Sequence, residues 1–575
     1  MLTLPCLAEG VLCHDARVPT DPRLTSSSRL PSVTAADQIL HTLAGVGVRI
    51  AFGLPGVHNL PFWRSLDAHD RHESGIQIMG VRHEQTTVYA ADGLARATGG
   101  LGVALVTSGP GAANTLGAVG EAHASGVPVL VIASDVPERL RNRTAPRGLL
   151  HESADPGSWF RTLTKAVYQP TSVAELADAV AAAISEAMTF PRGPVYLGVP
   201  ADVLAQPCTT IPLPANTAAP HPDGFDISRA ADLLNSCARP IIWVGGGAVA
   251  SGAAQAIDAL TWRIGAPALC TYAGRGALPT GHPLLIDAPP HEPLVRELLA
   301  EGDLLLSIGS SLDGMTTANW SLPRPRQVID VNVAPSGNYD PDVTVISDAT
   351  LALDALTIRL RSREPWADAP FRVRDDVRRT TNADPKTREA IALVDAIDAA
   401  IPTDHARVCD MSVAGYWVGG YAKAEHPRRL LYPVGWGTLG YGLPAAIGVA
   451  ATGMPTLAVV GDGGLAMALG ELATVEQHQL PLTILVVDDR GYGMLRFDQE
   501  HAGHPERGVD LVGPRWSSLA QAFGLELDQP RSIDDLQNAL AHSVLSATPR
   551  LIVYRGALYP PRTTSPRWDD PADIL

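Results

Sequence analysis

Two acidic positions in the last third of the chain have the types and spacing to hold a metal. In TLAVVGDGGLAMALGELATVEQHQLPLTILVVDDRGYGML an apolar run ends at Gly461-Asp462-Gly463-Gly464, and a second ends at Asp488-Asp489. Short charge-free runs of this kind read as buried parallel strands. Strands of one parallel sheet end on one edge, so Asp462 and Asp489 can converge there. Two hard oxygen ligands in such a crevice suit Mg²⁺ better than zinc. Gly463 and Gly464 open a helix expected over about 465–479, and the free N–H groups of a helix start suit a phosphate. The pattern describes a Mg²⁺–diphosphate site. Without such a ligand, the same residues read as a capping Asp462 and a turn at Asp488-Asp489.

A second group lies near the front of the chain. Glu84, in VRHEQ, stands between a strand and a helix, where a carboxylate either answers the helix dipole or does chemistry. His58, His83 and His151 are candidate proton carriers; a histidine near a turn is more often a satisfied polar residue, and His151 and His83 are the two retained. The chain has only three lysines, Lys165, Lys386 and Lys423, arginine supplying the other basic residues. A lysine kept against that background draws attention to Lys165.

These residues need elements to hold them, and the pattern supplies them. From Ala35 onward, apolar strands alternate with amphipathic helices, which means parallel α/β sheets. The chain has 575 residues, 46% of them hydrophobic, enough for three domains. Residues 1–32 carry no periodicity and are expected to be a flexible extension. The expected domains are 33–208, 222–362 and 385–560, with a Pro- and Thr-rich linker over 209–226. The uncharged stretch from Gly442 to Val460 is cut by Pro444 and Pro455, and reads as a buried helix, a turn and a buried strand rather than a membrane span. A net charge of −16 argues against nucleic acid or an anionic membrane as partner. The six cysteines form no paired motif and the N-terminus has no signal-peptide pattern, so a cytoplasmic protein is expected.

Taken together, FGLPG, RHEQ, TSGPGAANT, GWGTLGYGLPAAIG and GDGG…DDRGYGM fall in an order that resembles thiamine diphosphate-dependent enzymes of the acetolactate synthase type, from about residue 35 to residue 555. The resemblance implies a pyrimidine-binding, a middle and a diphosphate-binding domain. It implies that Glu84 hydrogen-bonds the cofactor's aminopyrimidine, that Asp462, Asp489 and the Gly491 carbonyl hold Mg²⁺, and that Leu439 bends the cofactor. Gly437, Gly463 and Gly464 would approach the diphosphate, Tyr492 and Met494 would line the site, and Pro55 and Gly56 match the turn near the reacting centre. Lys165 matches a lysine near the substrate entrance. Asp488-Asp489 replaces the family's usual Asn-Asn and adds negative charge beside a diphosphate.

The resemblance also implies activity and assembly. Decarboxylation of a 2-oxo acid would pass through a thiamine diphosphate enamine; protonation then gives an aldehyde, and attack on a second carbonyl gives a carboligase product. Acetolactate synthases carry tryptophan where this chain has Asp498, and Gln-Glu where it has His151-Glu152. FGLPGVHNL, RGLLHE and YPVGWGTLGYGLPAA look closer to the branch containing 5-guanidino-2-oxopentanoate decarboxylase, in which case Glu152 or Asp498 would face a cationic tail. If they do not, both are solvent-exposed loop acids. Glu84 and Asp462 would serve one cofactor from two subunits of a homodimer or homotetramer. The glycine turn GGGAVASG from Gly245 leaves FAD open, but no motif for it stands out and it is not expected; the missing acid after the next strand argues against NAD. A non-catalytic thiamine diphosphate-binding relative is the alternative of another class.

Overall fold

The computed structural model describes residues 33–562 except 143, 216–217, 368–369 and 547. The expected extension over 1–32 lies outside them. Three parallel sheets carry the chain. The first comprises β1 (Ile50–Gly53), β2 (Gln77–Gly80), β3 (Gly102–Val106), β4 (Val129–Asp135), β5 (Ala166–Tyr168) and β6 (Val195–Pro200), in the order β2-β1-β3-β4-β6-β5. The second comprises β7 (Pro240–Val244), β8 (Ala268–Cys270), β9 (Leu304–Ile308), β10 (Gln327–Asn332) and β11 (Val343–Ile346), in the order β11-β10-β9-β7-β8. The third comprises β12 (Ala406–Cys409), β13 (Leu430–Leu431), β14 (Thr456–Gly461), β15 (Leu482–Asp488), β16 (Glu526–Asp528) and β17 (Arg550–Arg555). Its order, β13-β12-β14-β15-β17-β16, repeats that of the first sheet strand for strand.

The central strands are apolar on both faces because helices cover both. β3 and β4 are buried at every position, as a doubly covered sheet requires. In each outer sheet the strand order reverses beside the first strand, between β1 and β3 and between β12 and β14. Crevices at such switch points, outside the carboxyl ends of the strands, are where ligands bind in open α/β sheets. The candidate residues sit there: Glu84 and Gly56 follow β2 and β1, and Asp462 and Asp489 follow β14 and β15.

The first and third domains share a core. Helix Glu84–Thr98 crosses helix Gly442–Ala450 with backbones nearly touching: a Cβ at Gly93 would lie 2.2 Å from the Ala445 carbonyl oxygen, and one at Gly448 only 1.9 Å from that of Ala90. This close crossing explains the charge-free stretch, which is a buried helix followed by β14. Beside it, Arg96 pairs with Asp92 (2.6 Å) and Glu121 (3.2 Å), and the Tyr441 hydroxyl donates to Asp92 (2.8 Å).

One expected element differs. The helix expected over 465–479 is three short pieces, Asp462–Met467, a 3₁₀ turn Leu469–Glu471, and Leu472–Gln477. The break turns the Glu471 carboxylate inward, where it accepts from the backbone N–H groups of Arg82 (3.1 Å) and His83 (3.0 Å) and from the Thr474 hydroxyl (2.6 Å). Those bonds tie the turn before Glu84 to the third domain. No described helix is long and apolar enough to cross a membrane.

Candidate active site

Asp462 leaves β14 as the first residue of a helix and is 5% exposed, with neither carboxylate oxygen bonded to a donor. Burial pushes its carboxyl well above the usual carboxylate range, and the neighbouring Asp489 and Asp488 charges push it further. Asp489 is raised too, by burial, against the pull of Arg496 at 3.8 Å. A buried carboxylate with both oxygens open, beside a second, half-buried one, is a costly arrangement without a cation and a good one with it. On this observation the residues fit a hard divalent ion.

The glycines beside the pair leave no room for side chains. A Cβ at Gly493 would sit 2.0 Å from an Asp489 oxygen, and one at Gly464 would sit 2.5 Å from Asp410. Asp488 is separate: its carboxylate accepts from Trp516 Nε1 (2.8 Å) and Arg555 (3.0 Å) and is fully buried. The charge added by Asp488-Asp489 is therefore met by one arginine on each acid.

Asp489 borders a cavity of about 340 Å³. Gly437, Leu439, Gly463, Gly464 and Met494 line it, with Asp489, Gly491 and Tyr492. Leu439 is 39% exposed, an apolar side chain standing in open space. It lies between Gly437 and Gly440, whose φ of 68° and 77° bend the loop in a way an L side chain resists. The loop is pinned by Asp410, which directly follows β12 and accepts from the Gly440 N–H at 3.1 Å. Asp410 went unremarked in the sequence, although an acid directly after the strand ARVC was the visible signal.

The first domain offers a second constellation. Glu84 starts its helix half-buried, not buried, and accepts from the Asn114 amide at 3.1 Å. A Cβ at Gly111 would be 3.6 Å from Glu84 and 2.7 Å from Thr107; one at Gly56 would be 2.6 Å from Thr107. Gly56, Thr107, Gly111 and Glu84 thus form one small-residue floor, with Pro55 exposed at its rim. Adjoining it, Ser108 Oγ lies 2.6 Å from His58 Nδ1 and 3.4 Å from His151 Nδ1. Ser108 and Asn114 were missed because their partners are 50 and 30 residues away in the chain.

The remaining candidates have other surroundings. His83 is an exposed N-cap whose Nδ1 accepts from Gln85 N–H. Lys165 donates to the carbonyls of Glu186 (2.6 Å) and Thr189 (2.8 Å), at the end of helix Val173–Met188, and pairs with the Glu186 carboxylate. Asp498 is buried in helix Gly493–His501, not in an exposed loop. Glu152 accepts from Arg147 and Leu149 N–H and lines a cavity of about 500 Å³ with Asp135, Glu138, Arg141 and Asp155. In the middle domain, Gly245 packs on Gly309, where a Cβ would lie 2.2 Å from the carbonyl oxygen. Every residue lining the Asp489 cavity lies at or beyond Met315, so Glu84 is not among them.

Comparison with known proteins defines the class. Residues 33–156 match the N-terminal TPP binding domain of thiamine pyrophosphate enzymes, 227–356 their central domain, and 410–554 their C-terminal TPP binding domain. The chain belongs to this family and is a thiamine pyrophosphate-dependent enzyme. It is 34% identical over 523 residues to the "Probable 2-ketoarginine decarboxylase" of Pseudomonas aeruginosa, covering 88% of this chain and 91% of that one. It is 30% identical over 541 residues to the acetolactate synthase large subunit of Lactococcus lactis, with 88% and 91% covered. An X-ray structure described as a thiamin diphosphate-dependent enzyme from Mycobacterium smegmatis shares the fold, with a TM-score of 0.75, 22% identity, and 91% and 99% covered.

Proposed function

We propose that this enzyme decarboxylates a 2-oxo acid using thiamine diphosphate and Mg²⁺, and that the acid carries a cationic tail of guanidino type. The observation carrying the metal and cofactor reading is the Asp462–Asp489 pair: Asp462 is buried with both oxygens open, and its neighbour Asp489 lines the Leu439 cavity. Asp462, Asp489 and the Gly491 carbonyl would hold the ion, and Gly437, Gly463 and Gly464 give a diphosphate close access to the backbone. Leu439, Tyr492 and Met494 would contact the organic part. Bound there, the cofactor supplies the electron sink that a departing carboxylate needs. Glu84 would hydrogen-bond the aminopyrimidine and hold the proton that sets its tautomer.

The tail reading has two supports. One is the likeness to a protein named for 2-ketoarginine. The other is the carboxylate-rich cavity beside His151-Glu152, where four acids face one arginine. Lys165 and His83 have structural tasks and are left out of the reaction.

The site is proposed to form between two subunits, with Glu84 from one and Asp462 from the other. Exposed apolar side chains at the edges of both constellations support this: Val57 and Leu150 on one side, Leu439, Met467 and Leu495 on the other. A carboligase outcome is the second reading, favoured by the relatives named acetolactate synthase. The test is CO₂ release from pyruvate, an aromatic 2-oxo acid and 5-guanidino-2-oxopentanoate, with cofactor and Mg²⁺ present or withheld. Cofactor-dependent release with an aldehyde product supports the proposal. A hydroxy-ketone product replaces it with the carboligase reading, and no release from any acid sinks both.

A further inference from the structure

We propose that His151 delivers the proton which completes decarboxylation, and that Ser108 and His58 resupply it through one continuous hydrogen-bonded line; this rests on the 2-oxo acid reading above. Replacing a carboxylate by hydrogen consumes one proton per turnover, placed on the carbon that has lost CO₂. Some group beside the reacting carbon must hold that proton and be recharged.

Three features single out this line. The first is geometry. Ser108 Oγ stands between the two Nδ1 atoms, 2.6 Å from His58 and 3.4 Å from His151, and the rings meet edge-on with centroids 5.9 Å apart. Ser108 follows Thr107, which closes the floor shared with Gly56, Gly111 and Glu84. The second is backbone conformation. His151 has φ of 63°, unusual for a residue with a side chain, and it is pressed on Gly109, where a Cβ would meet the His151 carbonyl oxygen at 2.8 Å and its Cβ at 2.9 Å. Strain of this kind persists where the surroundings enforce a particular side-chain position. The third is burial: His58 and Ser108 are buried, 9% and 1% exposed, whereas His151 is half-buried. Burial and the neighbouring His151 ring lower His58, with Asp135 pulling the other way.

The step balances. His151 gives its Nε2 proton to the carbon while Nδ1 takes the Ser108 hydroxyl proton. The Ser108 oxygen takes the Nδ1 proton of His58, and His58 is recharged from water. The His151 ring then returns to its starting tautomer by exchange with water. Here His151 is the catalytic residue, and Ser108 and His58 are positioning residues.

The test separates the proton step from decarboxylation itself. CO₂ release is measured with the 2-oxo acid that wild type uses best, with and without ferricyanide. Ferricyanide removes two electrons from the substrate carbon after CO₂ leaves; water then completes a carboxylic acid, and no proton donor to carbon is needed. H151Q should cut aldehyde formation by about 100-fold, within the range for lost general acid catalysis. Its ferricyanide-coupled CO₂ release should stay within about threefold of wild type. S108A should show the same split more weakly, and S108T, which keeps the hydroxyl, should recover. Equal loss in both assays, or no loss in either, overturns the relay while leaving the 2-oxo acid reading intact. Absence of CO₂ release from wild type overturns both.

Discussion

Asp462 carries an unusual burden for one side chain: it is buried, charged at neutral pH only at a cost, faces a second carboxylate and has no donor. D462N should therefore abolish Mg²⁺-dependent cofactor binding and yet stabilise the metal-free protein, on the order of a few kcal/mol. Calorimetry with and without Mg²⁺ reads both effects. The sign with pH follows from linkage. The folded carboxyl is raised, so the native state binds more protons than the unfolded chain between the ordinary Asp value and the raised one. Metal-free wild type should thus lose more stability than D462N as pH rises through that window, because D462N keeps only the raised Asp489, and saturating Mg²⁺ should remove the wild-type loss. Glu84 should behave differently. E84Q keeps a side chain that can accept from Asn114, so cofactor binding by titration should persist while turnover falls about 100-fold or more. Unchanged turnover in E84Q would remove the proposed mechanism.

At the scale of elements, the crossing of helices Glu84–Thr98 and Gly442–Ala450 sets where the turn before Glu84 lies. Gly93 is needed there for space, because a Cβ would enter the Ala445 carbonyl. G93A should improve helix propensity by up to about 1 kcal/mol and still destabilise, net, by about 1–3 kcal/mol through overpacking. The comparison is G224A, in a helix start with nothing within 4 Å, which should change stability by less than about 0.5 kcal/mol. Thermal melts of both decide it. The strands were legible in the sequence because doubly covered strands such as VLVIASD leave no polar position. GDGG and the Asp488-Asp489 pair were legible because each terminates such a strand. Glu471 was not: its acceptor role depends on Arg82 and His83, nearly 390 residues earlier, and nothing local marks the helix break that turns it inward. Ser108 and Asp410 were hidden for the same reason, since small or acidic residues at strand ends are common and only folding supplies their partners. Lys165 drew attention by its rarity, and its contacts with helix-terminal carbonyls were equally hidden in the sequence.

For the whole molecule, the two outer sheets share one strand order and present two separate constellations, one with Glu84 and one with Asp462. Within a chain the Asp489 cavity is lined from Met315 onward, and Glu84 does not reach it. If two subunits complete each other, inactive variants must rescue one another in a particular way. In a two-fold dimer of E84Q with D462N, one site joins both substitutions and the other joins two intact residues. Random reassortment of equal amounts makes half the dimers mixed, so about a quarter of all sites should be active. Rescue should appear only after subunits exchange, tracked by mixing tagged variants and following activity against the fraction of mixed dimer. Sites contained within single chains would give no rescue at any degree of exchange, because every chain would still lack one of its two carboxylates.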